Sequence, residues 1–170
     1  MKYRWIGAIL VIAGCGGFGF GIAASQRREM QQLRQLRKMI AYMECQLQFS
    51  LAPLPELCRM AAGEGGGKLK RLFLTLAMEL EEQRYPDVNS CMLCAIRKNA
   101  PLPDSVTKIL KQLGHTLGTF DLPGQLKAFA SAERECEREG NVLETNKEQR
   151  LRSYQTLGLC AGAALAILLL

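Results

Sequence analysis

One histidine serves the whole chain, and aromatic side chains make up only 6% of it. The first shortage narrows acid–base and metal chemistry, because histidine is the side chain that titrates near neutrality without a perturbed environment. The second weighs against nucleic-acid modules, whose basic and aromatic motifs do not occur. Apolar residues almost never alternate with period two, which excludes a domain built on a sheet. Charge is missing outright from two stretches. Twenty residues from Trp5 to Ala24 and seventeen from Tyr154 to Leu170 hold no charged side chain. A water-soluble globule is thereby excluded, unless the first stretch is cleaved and the last packs inside a core.

What is present is one domain's length, 170 residues, with 48% hydrophobic and 22% charged side chains, too apolar for disorder. The run WIGAILVIAGCGGFGFGIAA is long enough to cross roughly 30 Å of hydrocarbon as a helix. Tyr3 and Trp5 stand at its outer end, where amphipathic rings favour the headgroup level. Gly7, Gly14, Gly17 and Gly21 either give it a face for close helix approach or are simply tolerated in lipid. A signal peptide, or a lipoprotein cleaved before Cys15, would share the basic start and the apolar run. Against both, the run continues nine residues past Cys15 and passes into Arg27, Arg28, Arg34, Arg37 and Lys38. The C-terminal YQTLGLCAGAALAILLL is at the short limit for a span and is apolar all round. Residues 1–25 and 154–170 are therefore expected to be transmembrane helices, with residues 26–153 a helical domain between them. Eight lysines and arginines flank the spans on the domain side, against Lys2 and Arg4 outside, which places the domain in the cytoplasm. The same excess suits anionic headgroups, so the net charge of +6 calls for no nucleic acid.

A cytoplasmic domain keeps its thiols reduced. Cys91 and Cys94 form a lone C-x-x-C without further ligands at zinc spacing and without a βαβ setting, so small buried hydrophobes describe them better than a thiol or metal sensor. Within the domain, period 3.6 recurs throughout. Leu33, Leu36, Ile40, Met43 and Leu47 fall at 3-4-3-4 spacing on a helix that continues the first span to about Ser50. Pro53 and Pro55 stop it, and a short helix follows to about Ala62. Residues 63–67 (GEGGG) read as a flexible break, not a phosphate loop, since no strand precedes them and Leu69 replaces the required hydroxyl. Leu69, Leu72, Phe73, Leu76 and Leu80 mark the next helix, with Glu79, Glu81 and Glu82 near its wet side and Tyr85-Pro86 at its end. Asp87 caps a helix from Val88 to about Lys98. A further helix begins at Asp104 or Ser105, buries Val106, Ile109, Leu110, Leu113 and Leu117, and closes at Gly118. Asp121 caps the last one, which carries Leu126, Phe129 and Ala132 before turning almost wholly polar. Its segment with Glu133, Glu135, Glu137 and Glu139 reads as a solvated bridge to the second span, or as an acidic docking patch. The bundle should thus occupy residues 50–130, with the two long helices pairing along the Leu33–Leu47 seam.

No triad, metal helix or nucleotide loop occurs, and His115 at a helix C-terminus is explained by the dipole there. No catalytic residue, cofactor or metal site is expected.

The layout resembles the stage III sporulation protein AB family. The resemblance covers the whole chain and rests on two terminal anchors, the exit QLRQLR at residues 32–37, Glu44, Pro53-Leu54, and LGxxLGxxDxxxQ from Leu113 to Gln125. Within that pattern Gly114, Gly118, Asp121 and Gln125 are expected to cap and bond helices. The resemblance implies a non-enzymatic component of a secretion-like complex in the mother-cell membrane facing the forespore. It also implies a domain similar to the F-type platform domains of type II secretion, with a cytoplasmic secretion-type ATPase as partner. Arg27–Lys38 and Glu133–Glu139 are the candidate docking surfaces, and self-association is open. The glycine loop and the C-x-x-C are not features of the pattern.

Overall fold

The computed structural model describes the backbone of residues 2–50, 52–117 and 122–169, and the side chains of residues 25–50, 52–117 and 122–146. Six helices and no strand occur among them: α1 Lys2–Ser50, α2 Leu54–Glu64, α3 Gly67–Glu81, α4 Val88–Lys98, α5 Asp104–Thr116 and α6 Leu122–Leu169. The fold is all-α, as expected. The side chains of both expected spans lie outside the described residues. Among the described residues no helix is long and apolar enough to cross a membrane.

Neither glycine nor proline interrupts residues 25–50, so α1 leaves the apolar run as one continuous helix. Pro53 and Pro55 then break it, and Pro55 falls in the first turn of α2, where its missing N–H costs nothing. Leu33, Leu36, Ile40, Met43 and Leu47 are all buried, joined by Met39. Burial of each such side chain contributes about 1.5–3 kcal/mol, so this seam outweighs every surface ion pair on the helix.

The seam does more than pair the long helices. It meets α2, α5 and α6 together, because four short helices of 11 to 15 residues and their turns cannot enclose a core alone. The bundle therefore does not stop at residues 50 and 130. It takes in α1 from Leu33 and α6 as far as Cys136.

Three further expectations are corrected. The glycine segment is not a flexible break: α2 continues through Gly63 to Glu64, and α3 begins at Gly67. Only two residues separate the helices, and Gly67 takes φ +56°, a conformation favourable to glycine. Glu79 is not on the wet side of α3 but is 4% exposed. The 4-3 step from Leu72 to Leu76 to Glu79 carries it onto the buried stripe despite its charge. α3 also ends at Glu81, before Tyr85-Pro86, with Gln83 at φ 49° in the connection.

Asp87 caps α4 as expected, accepting from the Ser90 N–H at 3.0 Å and from the Ser90 hydroxyl at 2.7 Å. α5 buries Val106, Ile109, Leu110 and Leu113 on one face, and Leu117 just beyond it is buried as well. Successive short connections reverse the chain, so two ends of the bundle are distinct. The entry end is where α1 arrives and α6 leaves, marked by the 2.6 Å bond from the Ser105 hydroxyl to Glu29. The distal end gathers the close of α1, α3 and α5 with the start of α2, α4 and α6.

Candidate interaction surfaces

The two charged stretches face one another, since α1 and α6 run antiparallel and in contact. Phe129, Ala132, Cys136, Gly140 and Leu143 recur at 3-4-4-3 spacing and turn one stripe of α6 toward the core and α1. A Cβ on Gly140 would meet the Met30 sulfur at 3.7 Å. The polar segment of α6 is thus a helix with one apolar stripe, not a helix solvated all round. Small side chains at Cys136 and Gly140 conceal that stripe among their charged neighbours.

Around the stripe, Arg34 bonds Glu144 at 3.0 Å and Arg37 approaches Glu137 at 3.7 Å. Lys38 pairs with Glu64 of α2 at 2.7 Å. Glu135 is held at 2.6 Å by Arg138 and at 3.3 Å by Lys108, which also reaches Glu139 at 3.5 Å. The Arg138 bond is the main reason the Glu135 carboxyl is held below the usual carboxylate range. Each pair has at least one largely exposed partner and contributes at most about 1 kcal/mol. Glu133 differs. It is half-buried, and desolvation followed by the nearby Glu44 raises its pKa, with Arg37 opposing the shift. Arg27 and Arg28 are exposed and make no ion pair among the described residues.

Of the sequence motif, Gly114 has a clear role. It is buried in α5, and a Cβ there would lie 2.8 Å from the Cβ of Met92 and 2.9 Å from its Cγ. Atoms so near the backbone of α4 cannot swing away, so glycine sets the α4–α5 distance. Gln125 is half-buried in the first turns of α6. Gly118 and Asp121 lie outside the described residues. His115 is exposed in the last turn of α5, and the neighbouring Asp87 carboxyl is held below its usual range chiefly by the Ser90 hydroxyl and then the Ser90 N–H.

Cys91 and Cys94 are both buried. The Cys91 thiol faces the Glu79 carbonyl at 3.8 Å, and its pKa is raised, chiefly by burial. The Tyr85 hydroxyl donates to the Cys94 sulfur at 3.4 Å. Beside them Lys98 bonds Glu79 at 2.5 Å, and that bond is the main reason the Glu79 carboxyl is held below its usual pKa. A nucleophilic or redox-active cysteine needs a lowered pKa and access, and Cys91 has neither. Among the described residues no three histidine, cysteine or carboxylate side chains group to hold a metal.

The distal end carries features that the sequence reading did not single out. A groove of about 630 Å³ is lined by Pro53, Pro55, Glu56, Arg59, Met60 and Glu81. Another, of about 450 Å³, lies between the α3–α4 connection and the end of α5, against Asp87, Gly114 and His115. Phe49 stands out from α1 there. Its place two residues beyond Leu47 takes it off the buried seam, which is the one sequence signal of its exposure.

Fold and surface together define an all-α bundle whose two long terminal helices pair and whose recognisable features are surfaces for contact. The chain matches the model of the stage III sporulation protein AB family (spore_III_AB) over residues 4–170, and it belongs to that family. It is 24% identical to stage III sporulation protein AB of Bacillus subtilis (strain 168), over 98% of this chain and 99% of that protein. A solved structure of a stage III sporulation protein AB shares the fold, with a TM-score of 0.63 at 22% identity. That match covers 72% of this chain and 98% of the solved one. Membership gives the chain a role in sporulation, in a family that is not a known enzyme family.

Proposed function

We propose that the chain is a non-enzymatic platform component of a secretion-like sporulation complex, anchored by both termini in the mother-cell membrane around the forespore. Its helical domain stands in the cytoplasm and docks a secretion-type ATPase. The observation that carries this reading is the antiparallel pairing of α1 and α6. Arg34 meets Glu144 and Met30 meets Gly140, so the chain leaves the bundle toward both apolar termini at one end. Two apolar helices leaving side by side suit one bilayer, and the exposed Arg27 and Arg28 beside them suit anionic headgroups.

The test is affinity purification of the membrane-extracted full chain from sporulating cells. The ATPase should accompany it, and substitution of nucleotide-binding residues in the ATPase should leave the pair intact. Recovery of the domain outside the cell, without its first segment, or a complex lacking any ATPase, would remove the reading.

A further inference from the structure

Core packing accounts for one face of α3 only. Leu69, Leu72, Phe73, Leu76 and Ala77 are its buried apolar residues. At 3.6 residues per turn Leu74 and Met78 fall on the opposite side of the helix. They are 37% and 50% exposed. A surface helix ordinarily sets polar residues opposite its core face, whereas α3 is apolar on both. Single exposed apolar side chains are common, but two stacked one turn apart, opposite a complete core stripe, mark a second packing face. Charge around that stripe has one sign. Lys70 precedes Leu74 by one turn and Arg71 lies beside it. Arg97 follows Cys94 on the side of α4 turned toward α3, where Lys98 bonds Glu79. Lys70, Arg71 and Arg97 are exposed and make no ion pair among the described residues. The neighbouring carboxylates are matched, Glu64 by Lys38, Glu79 by Lys98, Glu81 by Arg59 and Glu82 by Arg84. Glu29 and Asp104 stand by the α4–α5 connection, where Lys68 bonds the Pro101 carbonyl. Glu56 and Asp87 belong to the distal starts of α2 and α4. The stripe itself therefore keeps three uncompensated cations.

We propose that the outward face of α3 docks an amphipathic helix of another protein, one that sets carboxylates beside an apolar stripe. Leu74 and Met78 supply the apolar anchors, and Lys70, Arg71 and Arg97 select the charge. The inference rests on the platform reading for its membrane anchoring and adds to it a surface and a class of partner. α3 begins where Gly66 faces Gln35, and it runs in the same direction as α1. Lys70 and Arg71 thus stand level with about residue 40 of α1, roughly 22 Å beyond Ser25. With a Debye length of about 8 Å, headgroups are screened at that height, so a protein and not the bilayer meets the stripe. A second copy is unsuited, because the acidic segment of its α6 interleaves Arg134 and Arg138 with the glutamates.

The experiment titrates full-length protein, in nanodiscs of phosphatidylcholine, with short synthetic amphipathic helices labelled for fluorescence anisotropy. One carries leucine on one face with glutamate beside it. Two others replace glutamate by glutamine or by lysine. The acidic helix should bind about tenfold or more tighter than the glutamine one. Leu74→Ser with Met78→Ser should weaken it by about tenfold, as loss of central apolar anchors does. Lys70→Glu with Arg71→Glu should turn the preference toward the lysine helix. Arg27→Glu with Arg28→Glu, at the membrane end, should leave binding as in the wild type. Unchanged thermal unfolding shows that the variants are folded. Equal binding of the acidic and glutamine helices overturns the inference, as does wild-type binding in both α3 variants. In sporulating cells Lys70→Glu with Arg71→Glu, at normal protein level, should lower the yield of heat-resistant spores about tenfold, and an undiminished yield overturns the inference. None of these failures touches the platform reading. That reading falls separately, if the domain is recovered outside the cell.

Discussion

Gly114 shows how one hydrogen in place of a methyl group fixes two helices. Gly114→Ala puts a carbon 2.8 Å from the Met92 Cβ, and overpacking of this kind costs about 1–3 kcal/mol. Urea unfolding should show that loss, and in a Met92→Ala background the second substitution should cost clearly less. Simple additivity would mean that Met92 is not the obstruction. Glu79 makes a second single-residue case. Its folded-state pKa is below the ordinary 4.5, mainly through the Lys98 bond, so the folded chain takes up the proton less readily than the unfolded one. The stability it contributes is complete above about pH 4.5 and drains away as pH falls through the lower folded value. The urea midpoint of the wild type should therefore drop more steeply below pH 4.5 than that of Glu79→Gln. Parallel curves would show that the Lys98 pair is not what acid disrupts.

At the scale of the element, α6 is the instructive helix. Its charges advertise a solvated rod, yet Cys136 is 2% exposed against α1. The thiol is pushed up to about 12 by burial, consistent with an inert packing group. Glu133 borders the same interface at a cost. Its pKa is raised by desolvation and by Glu44, so the folded state binds the proton more readily, and above that pKa the charged form opposes folding. Glu133→Gln should raise stability at pH 7 by a few tenths of a kcal/mol, discounted for partial exposure, and the gain should shrink toward acid pH. Thermal unfolding at pH 7 and pH 4 measures both. A loss of stability at pH 7 would assign Glu133 a favourable partner instead.

For the whole molecule, compartment and shape are read by the same cysteines. Cys45 is exposed, whereas Cys58, Cys91, Cys94 and Cys136 are buried. A membrane-impermeant maleimide applied to intact protoplasts should leave Cys45 unmodified and should label it after lysis. The four buried thiols should react only on denaturation. Labelling of Cys45 from outside would reverse the orientation. The Cys58 thiol, fully enclosed and pushed up to about 12, is no useful topology reporter, which the sequence did not foretell.

The all-α class, the helix starts at Val88 and Asp104, the Asp87 cap and the α1 seam were all legible in the order of residues. Such features depend on periods of three and four and on local hydrogen bonds, both written along the chain. Family membership was legible too, in Pro53-Leu54 and the run from Leu113 to Gln125. Three things needed the tertiary structure: Glu79 on the buried stripe, the packed side of α6, and the meeting of the two charged stretches. Each depends on what stands opposite in space. A charge in sequence has no burial of its own until a neighbour from another helix covers it.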